Sequence, residues 1–143
     1  MYIERTKDIQ IVVEPQYVVE NSKPDQQYYF FSYTIRIANL SSQTVQLLSR
    51  RWFIRDGFKR THEVNGIGVV GMQPVLKPQE VFEYTSFCPL PTPTGSMRGT
   101  YAFIDEAGVG FEAKIPVFFL RTDDVRSSVV PPPPPSPSVP PLI

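Results

Sequence analysis

What this chain lacks narrows it first. It has one cysteine, Cys88, and one histidine, His62, in 143 residues. A single cysteine excludes an internal disulfide. One cysteine with one histidine also excludes the usual nitrogen and sulfur zinc set within one chain, and no Asp-rich loop of the EF-hand kind appears. No metal residues are therefore assigned, although a hard-cation site of scattered carboxylates and carbonyls stays open. Net charge is missing too. Lys and Arg total 14 against 14 Asp and Glu, a balance that argues against direct nucleic-acid binding, which leaves a basic footprint. No apolar run approaches the ~18 residues of a membrane span. The opening Met1 to Asp8 has neither the apolar segment of a signal peptide nor the acid-poor composition of a transit peptide. The expectation is a soluble intracellular protein, cytoplasmic by default, or organellar if a targeting segment is missing. No amphipathic stretch of helical period exceeds two turns.

What is present is aromatic and strand-like. Aromatics reach 13% and hydrophobic residues 41%, which excludes wholesale disorder. The length suits one domain with a tail. Ile9, Ile11 and Val13 alternate with polar residues, and Pro15 predicts a break at a sheet edge. The next stretch is the clearest: Tyr29, Phe31, Tyr33, Ile35 and Ile37 share one face, while Phe30 predicts cover on the other side. From Thr44 to Arg55 the apolar parity switches, from Val45 and Leu47 to Leu48, Trp52 and Ile54, which is the mark of a β-bulge. Asp56-Gly57 predicts a hairpin returning through Lys59 to Val64. Further strands are expected over Val81 to Phe87, Met97 to Ile104 and Phe111 to Leu120. Pro89, Pro91 and Pro93 predict an extended connection, and Pro116 an edge or bulge. The pattern is all-β, an antiparallel sandwich of about seven strands.

The stretch hardest to treat as filler is Glu63 to Ser86. Gly66, Gly68 and Gly71 match the G-x-G-x-x-G dinucleotide fingerprint by spacing. That fingerprint needs a following helix, whose N-terminus receives the phosphates. Pro74, Pro78 and the strand-like Val81 to Thr85 exclude one. What remains is a loop able to take positive φ. Arg50, Arg51, Arg55, Lys59 and Arg60 precede it. Free glycine amides beside arginines form an anion nest, so Gly66, Gly68 and Gly71 with Arg51 and Arg55 are the candidate phosphate or pyrophosphate site. The plainer reading is a solvated strand face beside a turn. No catalytic set emerges: Cys88 beside Pro89 reads as a buried apolar residue, and His62 as a solvent-facing strand residue. The protein is expected not to be an enzyme and to carry no cofactor.

From Asp123 the composition changes, and residues 131–143 contain eight prolines. The expected organisation is a sandwich domain over residues 1–122 and a disordered proline-rich tail over 123–143. Such a tail favours polyproline II conformations and is a candidate ligand for SH3, WW or profilin-like grooves.

With these segments in hand, the chain resembles the ApaG family. The resemblance rests on Tyr29 to Asn39, Val45 to Ile54 with Arg51-Trp52, and Val64 to Ser86 with Gly-Ile-Gly-Val-Val-Gly. Gly95 to Tyr101 and Ile115 to Leu120 complete it. It runs from about Ile9 to Arg121, and Gln79 departs from it where the family has glycine. It implies an immunoglobulin- or fibronectin-III-like sandwich. It also implies a link to cobalt resistance and magnesium efflux in bacterial members, and a protein-interaction module in eukaryotic F-box adaptors and a polymerase-interacting protein. By resemblance, pyrophosphate binding would fall on Gly66, Gly68 and Gly71. The leading expectation is a non-enzymatic domain that binds a protein partner. The alternatives are a protein binding phosphate-containing metabolites, a factor in divalent-cation homeostasis, and a subunit of a larger assembly.

Overall fold

The computed structural model describes residues 1–125 and residue 143, so the expectations for the proline-rich run lie outside the described residues. Among the described residues nine strands form, rather than about seven: β1 (Tyr2–Thr6), β2 (Ile9–Tyr17), β3 (Tyr29–Asn39), β4 (Val45–Asp56), β5 (Thr61–Ile67), β6 (Val75–Leu76), β7 (Val81–Leu90), β8 (Thr94–Asp105) and β9 (Gly110–Arg121). One sheet has the order β1-β2-β3-β7. The other has β5-β4-β8-β9, with β6 paired to the start of β4. Every pairing is antiparallel. The two layers stack as a sandwich around a core that includes Ile11, Tyr33, Ile35, Trp52, Tyr101 and Phe118.

The two additional strands escaped the sequence pattern for different reasons. β1 joins β2 through Lys7-Asp8, both at positive φ (46° and 64°). This is the two-residue hairpin geometry usually signalled by Asn-Gly, here held by an Arg5–Asp8 ion pair at 2.7 Å. β6 is two residues long, too short for any period to register.

Proline placement follows the sheet edges, with one correction. Pro15 lies in β2, which is internal between β1 and β3, not at the sheet edge. However, β1 stops pairing at Val13, so Pro15 sits beyond its neighbour's end, where a missing amide leaves no acceptor unpaired. Pro89 pairs with Phe30 inside β7, the outer strand of its sheet. Pro116 falls where the β8–β9 register shifts. The parity switch in β4 is a register shift between Leu47 and Ser49, as the apolar pattern requires. Phe30 is covered on the far face of its sheet by Phe87 and Val18.

The β4–β5 hairpin turns on Asp56. Its carboxylate accepts from the amides of Phe58 (2.9 Å) and Arg60 (3.1 Å) and from Arg60 Nε (2.9 Å). Burial works against the charged form, but these donors together hold the carboxyl below its usual range. The turn's positive φ falls on Lys59 (65°) rather than on Gly57.

Candidate functional site

The two flanks of the sandwich differ, and the candidate site lies on the more open one. On the first flank β1 and β2 pack directly against β9. Tyr2 meets Phe118 and Phe119 there, and the Lys114 amide donates to Thr6 Oγ1 across the layers. On the opposite flank the outer strands are β7 and β5.

The β4 bulge decides what lines this second flank. Beyond it, Arg50 shares its face with Trp52 and Ile54, and side chains two apart point the same way. Both neighbours are buried, so Arg50 points between the layers. Opposite it across β5 stands Gly66, and across β8 stands Tyr101. Gly66 makes room for it: a Cβ there would lie 2.5 Å from Nη1. Arg50 Nη1 donates to the carbonyls of Ile67 (3.2 Å) and Gly68 (2.9 Å), and Nε donates to the carbonyl of Ile143 (2.7 Å). Ile143 is half-buried and packs against the core. No side-chain carboxylate pairs with Arg50 among the described residues.

The facing layer presents hydroxyls to this cation. Tyr84, Ser86 and Cys88 of β7 pair across the ladder with Ile35, Tyr33 and Phe31 and share the core face with them. The Tyr84 and Tyr101 hydroxyls hydrogen-bond across the layers. Trp52 Nε1 is buried without a hydrogen-bond partner among the described residues. The buried Tyr33 and Ser86 hydroxyls have only each other, in a contact short of full hydrogen-bond geometry that favours the Tyr33 phenolate. Burial pushes the phenols of Tyr33, Tyr84 and Tyr101 well above their usual value near 10. Neighbouring phenols add to the rise at Tyr33 and Tyr84, and the Arg50 charge acts in the opposite direction at all three. Burial alone pushes the Cys88 thiol up to about 12. A thiol so far from ionisation is a poor nucleophile.

The glycine loop is built onto the same bulge. The Gly68 amide donates to the Leu48 carbonyl (2.8 Å), which also accepts from Gln73 Nε2 (3.0 Å). Val69 and Met72 exchange two backbone hydrogen bonds of 2.8 Å. This closes a turn over Val70 and Gly71 at φ 43° and 77°. A β-branched residue at positive φ stores strain, and buried Val69 with half-buried Val70 anchors the turn to the core. β6, not a helix, follows the loop.

These placements divide the residues singled out by spacing. Gly66 and Gly68 lie at Arg50, whereas Gly71 is at the exposed tip of the turn. Toward Arg50 the loop turns carbonyls. Arg51 and Arg55 point to the outer face of their sheet, four residues or ~13 Å apart along β4. Arg51 pairs with Glu63 at 3.1 Å and stacks on Phe53, whose ring Arg98 also approaches. A shallow depression on that outer face runs between Arg51, Asn65, Ile67, Thr100 and Glu112. His62 is exposed on β5, and no cluster of metal-ligating side chains occurs among the described residues. No helix among them is long and apolar enough to cross a membrane. Arg50, named in the cation run before the loop, is the member that the candidate set left out. Its signal was the bulge, which gives it the parity of Trp52 and Ile54.

Comparison with known proteins agrees with this architecture. A family model described as the ApaG domain (DUF525) matches residues 19–105. Protein ApaG of Bordetella pertussis is 55% identical over 113 residues, covering 79% of this chain and 86% of that protein. Protein ApaG of Caulobacter vibrioides is 53% identical over 120 residues, covering 84% and 86%. The crystal structure of the putative ApaA protein from Bordetella pertussis superposes with a TM-score of 0.80 at 53% identity, covering 81% of this chain and 94% of that one. With the sandwich, the bulge and the glycine loop in place, the chain belongs to the ApaG family.

Proposed function

We propose that this protein is a non-enzymatic binding domain that docks an extended segment of a protein partner on the β5/β7 flank and the 67–74 loop. The observation that carries this reading is Arg50: a half-buried guanidinium between the layers, without a side-chain carboxylate partner among the described residues, donating to the main-chain oxygen of the aliphatic Ile143. Arginine recognises acceptors in a fixed fork, and a cation half-removed from water gains from each one it receives. Exposed Ile67 and Met72 on the adjoining loop add apolar contact surface. The buried thiol and the exposed lone histidine support a role without bond-breaking chemistry.

The test is photo-crosslinking in native extract, with the probe at Ile67 or, as a control, at Val117 on the outer side of β9. Crosslinks should concentrate on one identified protein from the Ile67 position, and that protein, purified, should bind the full chain. Equal labelling from both positions, or failure of the purified candidate to bind, overturns the reading.

A second reading, phosphate or pyrophosphate binding at the glycine loop, draws on the same Arg50, which has no side-chain carboxylate partner among the described residues. Titration with pyrophosphate, followed at the Gly66, Gly68 and Gly71 amides and at Arg50 Hε, decides it. Saturable shifts support the reading, and their absence at millimolar ligand ends it.

A further inference from the structure

The geometry points to a self-occupied site: residue 143 of this chain is a displaceable plug in the Arg50 cleft, and a partner must compete with it. This rests on the flank being a segment-docking surface and adds how that surface is regulated. The occupant is fixed by what is seated there. Ile143 places its side chain against the core cluster and its carbonyl on Arg50 Nε at 2.7 Å.

The chemistry of the preceding residues makes this hold depend on Ile143. Pro140 and Pro141 carry no amide N–H, so they offer no backbone donor to add to the contacts of Ile143. What is left is one charge-assisted hydrogen bond and one half-buried aliphatic side chain. That is enough to fill the cleft while it is tethered, because tethering supplies an effective concentration on the order of millimolar. It is weak enough to yield to a free segment that makes the same two contacts and adds others along the exposed loop. The matching partner is therefore an extended segment carrying an aliphatic residue whose carbonyl or carboxylate oxygen faces Arg50.

Arg50 Hε reports occupancy directly, in the full-length chain labelled with nitrogen-15. Ile143→Asp keeps the backbone carbonyl but removes the aliphatic anchor, and Ile143→Ala does so without adding charge. Both should move or broaden the Arg50 Hε resonance while leaving the amides of β2 and β9 in place. A synthetic peptide of residues 139–143, Val-Pro-Pro-Leu-Ile, should then bind the variants saturably and restore the resonance. If the plug is seated nine-tenths of the time, the same peptide should bind the wild-type chain about tenfold more weakly.

An Arg50 Hε unmoved in both variants overturns the proposal, as does equal peptide binding to wild type and variant, or binding to neither. An Arg50 shift that changes on diluting the wild-type chain also overturns it, because the occupant then comes from a second copy. Loss of the plug leaves the docking surface itself standing if crosslinks still concentrate at Ile67.

Discussion

The two flanks of this sandwich solve the same problem differently. Where β1 and β2 meet β9, the layers are joined by rings: Phe118 contacts Tyr2, Tyr33 and Trp52, each within about 6 Å. Where β7 faces β4 and β8, the Tyr84–Tyr101 phenol pair joins the layers and Arg50 points between them. Apolar contact needs only shape and area, so the first flank closes by packing, with Trp52 Nε1 among its rings left without a partner among the described residues. Polar groups between layers must be partnered or they cost free energy, and on the second flank several are not fully so. A flank that leaves Ser86 Oγ weakly partnered and an arginine without a side-chain carboxylate facing inward has given up stability that an apolar filling would supply. The difference teaches where to look for binding: in the layer whose polar groups still lack full partners.

The contrast can be broken or sharpened by measurement. Phe118→Ala, on the closed flank, should show the largest effect, a loss of about 3–5 kcal/mol in urea unfolding, because a fully buried ring leaves a cavity. A loss below 1 kcal/mol would mean that the ring-lined flank is not the structural one. Gly68→Ala should follow at roughly 2–3 kcal/mol, since a Cβ would lie 2.2 Å from the Met72 carbonyl oxygen at a φ of 65°. Gly66→Ala, by contrast, meets only the mobile end of Arg50. It should displace the guanidinium, read as a shifted Arg50 Hε, at a cost of about 1 kcal/mol or less.

The open flank should also set the alkaline limit of the fold. The buried phenols and the Cys88 thiol have folded pKa values raised above their unfolded ones. Their contribution is fully present below the unfolded values and is lost as pH rises through the folded ones. Stability should therefore fall above about pH 9–10. Phenolate absorbance should show Tyr33, Tyr84 and Tyr101 ionising only with unfolding. If all seven tyrosines titrated freely near pH 10 with the fold intact, the flank would be open to bulk water.

The smallest effects separate partnered from weakly partnered hydroxyls. Tyr84→Phe should cost about 1–2 kcal/mol, because it strands the Tyr101 hydroxyl. Ser86→Ala should cost less, about 1 kcal/mol or below, since its hydroxyl has only a weak contact with the Tyr33 hydroxyl to lose.

Much of the fold was legible in the sequence because strand pairing imposes a period of two. Tyr29 to Ile37 announced a core face, and the parity switch after Leu47 announced the bulge. The turn at Lys7-Asp8 was not legible, because neither residue advertises positive φ. The candidate site was legible only in part. Spacing drew attention to Gly66, Gly68 and Gly71, and the charge run to Arg51 and Arg55. Glycine spacing, however, does not say whether a loop turns amides or carbonyls toward a cation.

By itself the sequence determined the β class, the location of the bulge, the burial of Cys88 and the exposure of His62, since each follows from alternation or local composition. Only the tertiary structure decided that Arg50 enters the interior while Arg51 remains outside. Only it brought residue 143 onto that guanidinium, across the described chain from β4. Such placements depend on which strand stands opposite and what the second layer presents, and neither is encoded in the pattern of any one segment.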